Sequence, residues 1–185
     1  LGESLAGLGL IFVGIQFLQD GMAGLEAYID LSVLAGQSVW NRLILILAGI
    51  VMTVVMQSSS AAVATTIAVL ASGAISLEHA IALVIGQNIG NTATSAIAAI
   101  GASVSAKRTA LSHILFNIVT GTVCFAFFPW VVRHVTWLAS LPGWHEPAVI
   151  LALFHTWFSL LGIAMLAPFI GPFTKVTVRM LPEKK

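Results

Sequence analysis

Two short polar stretches interrupt an otherwise apolar sequence: Gln57-Ser58-Ser59-Ser60 and Gln87-Asn88-Ile89-Gly90-Asn91-Thr92. The first lies between the apolar runs Leu43 to Met56 and Ala61 to Ala71, and no charged side chain occurs between Arg42 and Glu78. Hydrocarbon offers polar groups no partners, so non-helical backbone at membrane depth survives only where protein buries it or a water-filled cavity meets it. Four hydrogen-bonding residues in such a setting mark a place where the chain turns or binds. Three serines opening a helix present hydroxyls beside free backbone amides, the donor set an anion needs. The oxygens of Gln57, Asn88, Thr92 and Thr94 are hard ligands of the kind a small cation takes, the preference known for calcium and magnesium. Neither stretch holds a carboxylate, so sodium coupling through neutral oxygens fits better than a proton relay.

Other chemistries fit less well. The serines have no Gly-x-Ser-x-Gly context and no paired base, so a hydrolase is not expected. The five histidines include no His-x-x-x-His pair, which leaves them as core or interfacial residues and predicts no transition-metal site. The structural alternative for the polar stretches is helix-to-helix hydrogen bonding, which would make the chain a non-transporting membrane assembly module.

The elements that position these residues follow from composition and pattern. Of 185 residues 58% are apolar and 8% charged, against about 25% charge in a soluble domain. The chain is a membrane protein, all-α because helices satisfy their own backbone in lipid. A net charge of +1 without a basic stripe argues against nucleic acid, and Cys124, the single cysteine, reads as a small hydrophobe.

Leu5 to Leu18, with Gly7, Gly9 and Gly14, predicts a helix whose glycines admit a close neighbour. Gly21 to Asn41 reads as an aqueous or interfacial segment. Leu43 to Met56 and Ala61 to Ala71 are each short of a crossing, which predicts a re-entrant hairpin with Gln57 to Ser60 at its tip. Ser72 to Ser76 reads as a turn, with Ser76 capping a helix that begins near Leu77. His79 to Gly101 is a second interrupted run, and paired interruptions of this kind point to a transporter site built from broken helices. Leu111 to Val132 and Ala148 to Ile170 predict full crossings, with Trp130, Trp137, Trp144 and Trp157 as interfacial anchors. The total is four crossings, one re-entrant helical hairpin and one broken helix in a single membrane domain, 1–185.

With the hairpin tip at Gln57, one side of the membrane holds Arg42 and Arg133, and the other receives Lys107, Arg108, Lys175, Arg179, Lys184 and Lys185. The positive-inside rule then puts the second side, with the C-terminus, in the cytoplasm of a plasma membrane, a bacterial inner membrane. The opening Leu1-Gly2-Glu3, with neither Met nor a charged n-region, predicts a piece of a longer chain.

Four motifs in order carry a resemblance: Gln57-Ser58-Ser59-Ser60, Gly73-Ala74-Ile75-Ser76-Leu77-Glu78, Gly86-Gln87-Asn88-Ile89-Gly90-Asn91-Thr92-Ala93-Thr94, and His113-Ile114-Leu115-Phe116-Asn117. Over about Leu5 to Val132 the chain resembles the type II sodium-dependent phosphate cotransporters, and in particular their second inverted repeat; the C-terminal helix and basic tail, 148–185, lie beyond it. The resemblance implies one half of an inverted-repeat transporter moving inorganic phosphate with sodium. It implies phosphate at Gln57, Ser58, Ser59 and Ser60, and sodium at Gln57, Ser58, Asn88, Thr92 and Thr94. Asn91 stands where the family has Thr, and Gln87 stands where the family varies and is given no role. The expected partners are inorganic phosphate, sodium as coupling ion, the bilayer, and a second repeat supplied by the rest of a longer chain or a second copy. Another oxyanion, sulfate or a carboxylate, suits the same helix-end chemistry.

Overall fold

Four serines set where helices begin. Ser38 Oγ accepts from the Asn41 N–H at 3.1 Å, Ser58 Oγ from Ala61 at 3.2 Å, Ser76 Oγ from His79 at 3.3 Å, and Ser103 Oγ from Ala106 at 3.3 Å. Each satisfies an amide that the first turn leaves without a partner. The computed structural model describes residues 2–26 and 38–183, and every element of regular structure among them is helical. In order they form α1 (Gly2–Glu26), α2 (Val39–Met56), α3 (Ser59–Ala71), α4 (Leu77–Gly90), α5 (Thr92–Ala98), α6 (Val104–Ala126), α7 (Phe128–Ser140), α8 (Pro147–Leu166), a 3-10 turn (Ala167–Phe169) and α9 (Ile170–Met180).

Three stretches of the described chain are long and apolar enough to cross a membrane: α2, α6, and Pro147–Met180, which joins α8 to α9. Several boundaries differ from expectation. The Ser38 cap recruits Val39 to Arg42, so α2 has 18 residues and covers about 27 Å instead of falling well short. α1 continues through Gln19-Asp20-Gly21 to Glu26; the rest of the predicted aqueous segment, 27–37, lies outside the described residues, as do Lys184 and Lys185. Among the described residues nothing lies within 4 Å of a Cβ built on Gly7, Gly9 or Gly14. The crossing predicted over Leu111 to Val132 divides at Phe127, where Pro129 in the first turn of α7 cannot donate to the preceding turn. The loop expected from Arg133 is helical to Ser140, because Phe128, Val131, Val135 and Ala139 form a buried stripe at helical spacing.

Glycines build the centre of the fold. A Cβ on Gly86 of α4 would strike the Ile46 carbonyl of α2, one on Gly49 of α2 would strike the Leu83 carbonyl, and one on Gly90 would sit 2.7 Å from the Ile50 carbonyl. Gly86 beside Ile46 and Gly90 beside Ile50 advance in the same direction, so α2 and α4 run parallel with their backbones in contact. Because α4 starts again beside the beginning of α2, α3 must run back antiparallel alongside the pair. Ile81 and Ile85 of α4, Phe154 and Phe158 of α8, and Phe128, Val131 and Val135 of α7 fill the core around that pair. The Arg42 guanidinium, near the start of α2, lies 4.6 Å from the centre of the Phe128 ring and ties it to the start of α7.

Candidate functional site

The corner between α2 and α3 is two residues long. Gln57 closes α2 in the left-handed region, φ +50°, with its N–H on the Thr53 carbonyl at 2.8 Å, and Ser58 opens α3 as its cap. A left-handed conformation at a side-chain-bearing residue is a strained choice held by its surroundings. Ser59 and Ser60 sit inside the first turn of α3, so all three serines gather at its amino end. Gln57 and Ser60 are exposed, and Ser58 and Ser59 are half-buried.

The second interruption is narrower than its sequence suggests. Gln87 to Gly90 stay helical, and Asn91 keeps helical angles (φ −58°, ψ −25°) with its N–H on the Gln87 carbonyl at 2.9 Å. The expected broken helix is present as a break one residue wide: α4 ends at Gly90 and α5 begins at Thr92, although Asn91 itself keeps helical angles.

Gln87, assigned no role from sequence, holds the two regions together. It is 1% exposed, and its Nε2 donates to Thr66 Oγ1 at 2.7 Å and to the Ala62 carbonyl at 3.2 Å, both on α3. Ser58 lies four residues before Ala62 and Asn91 four residues after Gln87; with α3 and α4 antiparallel, the serine turn is level with Asn91 to Thr94. Asn91 and Thr94 continue the helical stripe of Gln87, the one turned to α3. Among the described residues two buried side-chain atoms lack a hydrogen bond, Gln87 Oε1 and Thr53 Oγ1, and Thr53 Cβ is 3.0 Å from where a Gly90 Cβ would stand.

Asn88 and Thr92 occupy the neighbouring stripe, with Ser95. Both are buried; Asn88 Nδ2 donates to the Val84 carbonyl at 2.9 Å and Thr92 Oγ1 to the Ile89 carbonyl at 2.7 Å. Ser95 Oγ lies 2.9 Å from His113 Nδ1 on α6, and Ile89 packs beside Gly121. That antiparallel register sets the buried Asn117, whose Nδ2 donates to the His113 carbonyl at 3.0 Å, level with Thr92. The residues named from sequence therefore fall into two neighbouring groups. Gln57 and the serines form the α2–α3 corner, Asn88 and Thr92 lie toward α6 with Asn117, and Thr94 is exposed on α5. The signal for Asn117 was its place in the fourth motif; Gln87 gave none, since its partners lie 21 and 25 residues away.

At the far end from this corner's helix starts, Trp130, Trp137 and Trp157 surround His134, with ring centroids at 4.8, 5.7 and 5.6 Å. Trp144 is not part of that cluster. Among the described residues no three His, Cys, Asp or Glu side chains gather as a metal site would need.

Long apolar helices packed through glycines around a capped serine corner define a multi-pass helical membrane protein with polar groups inside its helix bundle. The chain belongs to the Na+/Pi-cotransporter family, whose pattern it matches over residues 25–140. That is a family of transporters, not of enzymes. YqeW of Bacillus subtilis (strain 168), a protein without a characterised function, is 28% identical over all of this chain and 58% of its own length. YjbB of Escherichia coli (strain K12), a candidate inorganic phosphate export protein by its name, is 28% identical over 99% of this chain and 33% of its own. The human sodium-dependent phosphate transport protein 2C is 39% identical over 40% of this chain and 13% of its own length. The chain thus spans about a third to three fifths of the bacterial relatives it matches. No solved structure matches it.

Proposed function

We propose that this chain supplies one repeat of the binding site of a sodium-coupled inorganic phosphate transporter. The observation that carries the proposal is the serine turn at the start of α3, capped by Ser58 and level with Asn91 to Thr94. Free amides and the hydroxyls of Ser58, Ser59 and Ser60 take the phosphate there, where the positive end of the helix favours an anion. Gln57 adds its amide to the phosphate. Neutral oxygens of Gln57, Ser58, Asn88, Thr92 and Thr94 take sodium. α3 is 13 residues long, about 20 Å against a hydrocarbon core of about 30 Å. With the Ser72–Ser76 turn at the membrane surface, the corner is a re-entrant tip within the bilayer.

The names of YjbB and of transport protein 2C support phosphate as cargo, and that of 2C supports sodium. The greater length of the bacterial relatives supports a second, inverted repeat completing the site. The test is labelled phosphate flux in proteoliposomes holding the complete transporter, with and without a sodium gradient. The expected result is sodium-dependent flux that unlabelled phosphate suppresses and sulfate does not, reduced at least tenfold by Ser59→Ala. Flux indifferent to sodium, or suppressed equally by sulfate, overturns the coupling or the cargo.

A further inference from the structure

The basic residues of α6 and α9 meet at one end of the molecule. Arg108, in the first turns of α6, donates Nε to the Leu181 carbonyl at 3.0 Å and sits 3.3 Å from the exposed Glu183 carboxylate. These contacts seat the end of α9 against the beginning of α6. Beside them a cavity of about 410 Å³ opens between α5 and α6, walled by Ala96, Ala99, Ile100, Leu111 and Leu181, with Lys107 as its one charged side chain. α9 repeats the combination: Lys175 and Arg179, one turn apart, line a groove of about 540 Å³ with Ile170, Thr174 and Val178. Thr177 is turned into the protein, and Val176, Val178 and Met180 are exposed.

We propose that this end binds an anionic phospholipid, with an acyl chain along the Ala96–Ile100–Leu111 wall and the lipid phosphate on Lys107, while Lys175 and Arg179 of the separate α9 groove add to the positive charge of α9. Neither half of the surface suits water alone. An apolar recess at the start of a membrane-length helix suits hydrocarbon, and among the described residues Lys107 at the recess and Lys175 and Arg179 on the α9 groove have no carboxylate partner, Glu183 being engaged by Arg108. Apolar recess and surplus positive charge together match a lipid that carries both an acyl chain and a net negative headgroup; a zwitterionic lipid leaves the charge unmet. α9 then lies along the bilayer surface as an amphipathic helix instead of prolonging α8, since Pro147–Met180 would reach about 51 Å end to end, far beyond a bilayer core of about 30 Å. This inference does not depend on the cargo proposed above.

The experiment compares delipidated full-length protein titrated separately with phosphatidylglycerol, phosphatidylcholine and inorganic phosphate, reading retained lipid by native mass spectrometry and the melting temperature in parallel. Phosphatidylglycerol is expected to be retained at least fivefold over phosphatidylcholine and to raise the Tm by several degrees, as any ligand of the folded state does. Lys107→Gln should lower that preference at least threefold while its Tm in phosphatidylcholine stays that of the parent, which shows the variant folded. Ala99→Leu, which fills the recess and keeps the charges, should lower retention of phosphatidylglycerol as well. Equal retention of the two lipids, an unchanged preference in Lys107→Gln, or an equal Tm rise with inorganic phosphate alone overturns the proposal.

Discussion

Gln87 of α4 donates its amide to Thr66 Oγ1 of α3 across 2.7 Å, and Thr66 in turn donates to the Ala62 carbonyl at 3.1 Å, so one side chain fixes the turn that follows the three serines. The Ala62 carbonyl thus receives two side-chain donors inside a helix whose next backbone amide also needs it. A shift of α3 along α4 would break both bonds from Gln87 together.

Thr66→Val removes the shared hydroxyl while keeping the shape. It should lower stability by about 1 kcal/mol, the scale of interhelical hydrogen bonds in membranes. Gln87→Leu removes the donors and also the unpartnered Oε1, so the two effects offset and its cost should be no larger than that of Thr66→Val. Thermal unfolding of both single variants and the double variant gives the coupling; additive effects would contradict the bond.

Gly86→Ala puts a methyl group into the Ile46 carbonyl, backbone that cannot swing aside. Overpacking of this kind costs about 1–3 kcal/mol or more. Gly14→Ala meets open space in the middle of α1 and should be neutral or stabilising by up to about 1 kcal/mol, because glycine weakens a helix interior. Yield and melting temperature of the pair separate the two, and equal behaviour would count against the contact between α2 and α4.

Ser58→Ala loses the cap on Ala61 and should cost about 1 kcal/mol, whereas Ser58→Gly costs only a few tenths. If the hydroxyl also meets phosphate, flux should fall in both variants despite their different melting temperatures. Flux that follows melting temperature would assign Ser58 to the fold alone.

Ser95 Oγ and His113 Nδ1 connect α5 to α6 at 2.9 Å. Ser95→Ala and His113→Phe should each destabilise, and a double-mutant cycle should return a coupling of about 0.5–1.5 kcal/mol. A coupling near zero would leave the helices held by packing only.

Glu183→Gln should change stability by less than about 1 kcal/mol, since the carboxylate is largely exposed and its ion pair is screened. Arg108→Gln also releases the Leu181 carbonyl, and limited proteolysis should then trim the chain after α9 faster than in the parent.

Much of this was legible from local pattern. Ser76 caps α4 where the Ser-Gly-Ala-Ile-Ser turn ended, the three serines open a helix, and Cys124 is a buried small residue, each decided by near neighbours. The division at Phe127 and the helix that follows were hidden, because Arg133, His134 and Trp137 made α7 read as polar loop although its buried stripe has helical spacing. Asn91 was legible as an interruption, and α4 does end beside it; what its polarity did not tell is how narrow the break is, a single residue at helical angles. Gln87 and Gly86 draw their meaning from partners more than twenty residues distant, which no local window contains.

Because α2 and α4 touch through their main chains, with Gly49, Gly86 and Gly90 taking the carbonyls of Leu83, Ile46 and Ile50, neither helix slides past the other without a clash at three levels. They form a stiff two-rod paddle. Any rocking of the pair would have to be absorbed where it meets its neighbours, at the Gln57–Ser58 corner after α2 and the one-residue break at Asn91 after α4. Two joints on one inelastic blade are the mechanical inheritance of three missing side chains.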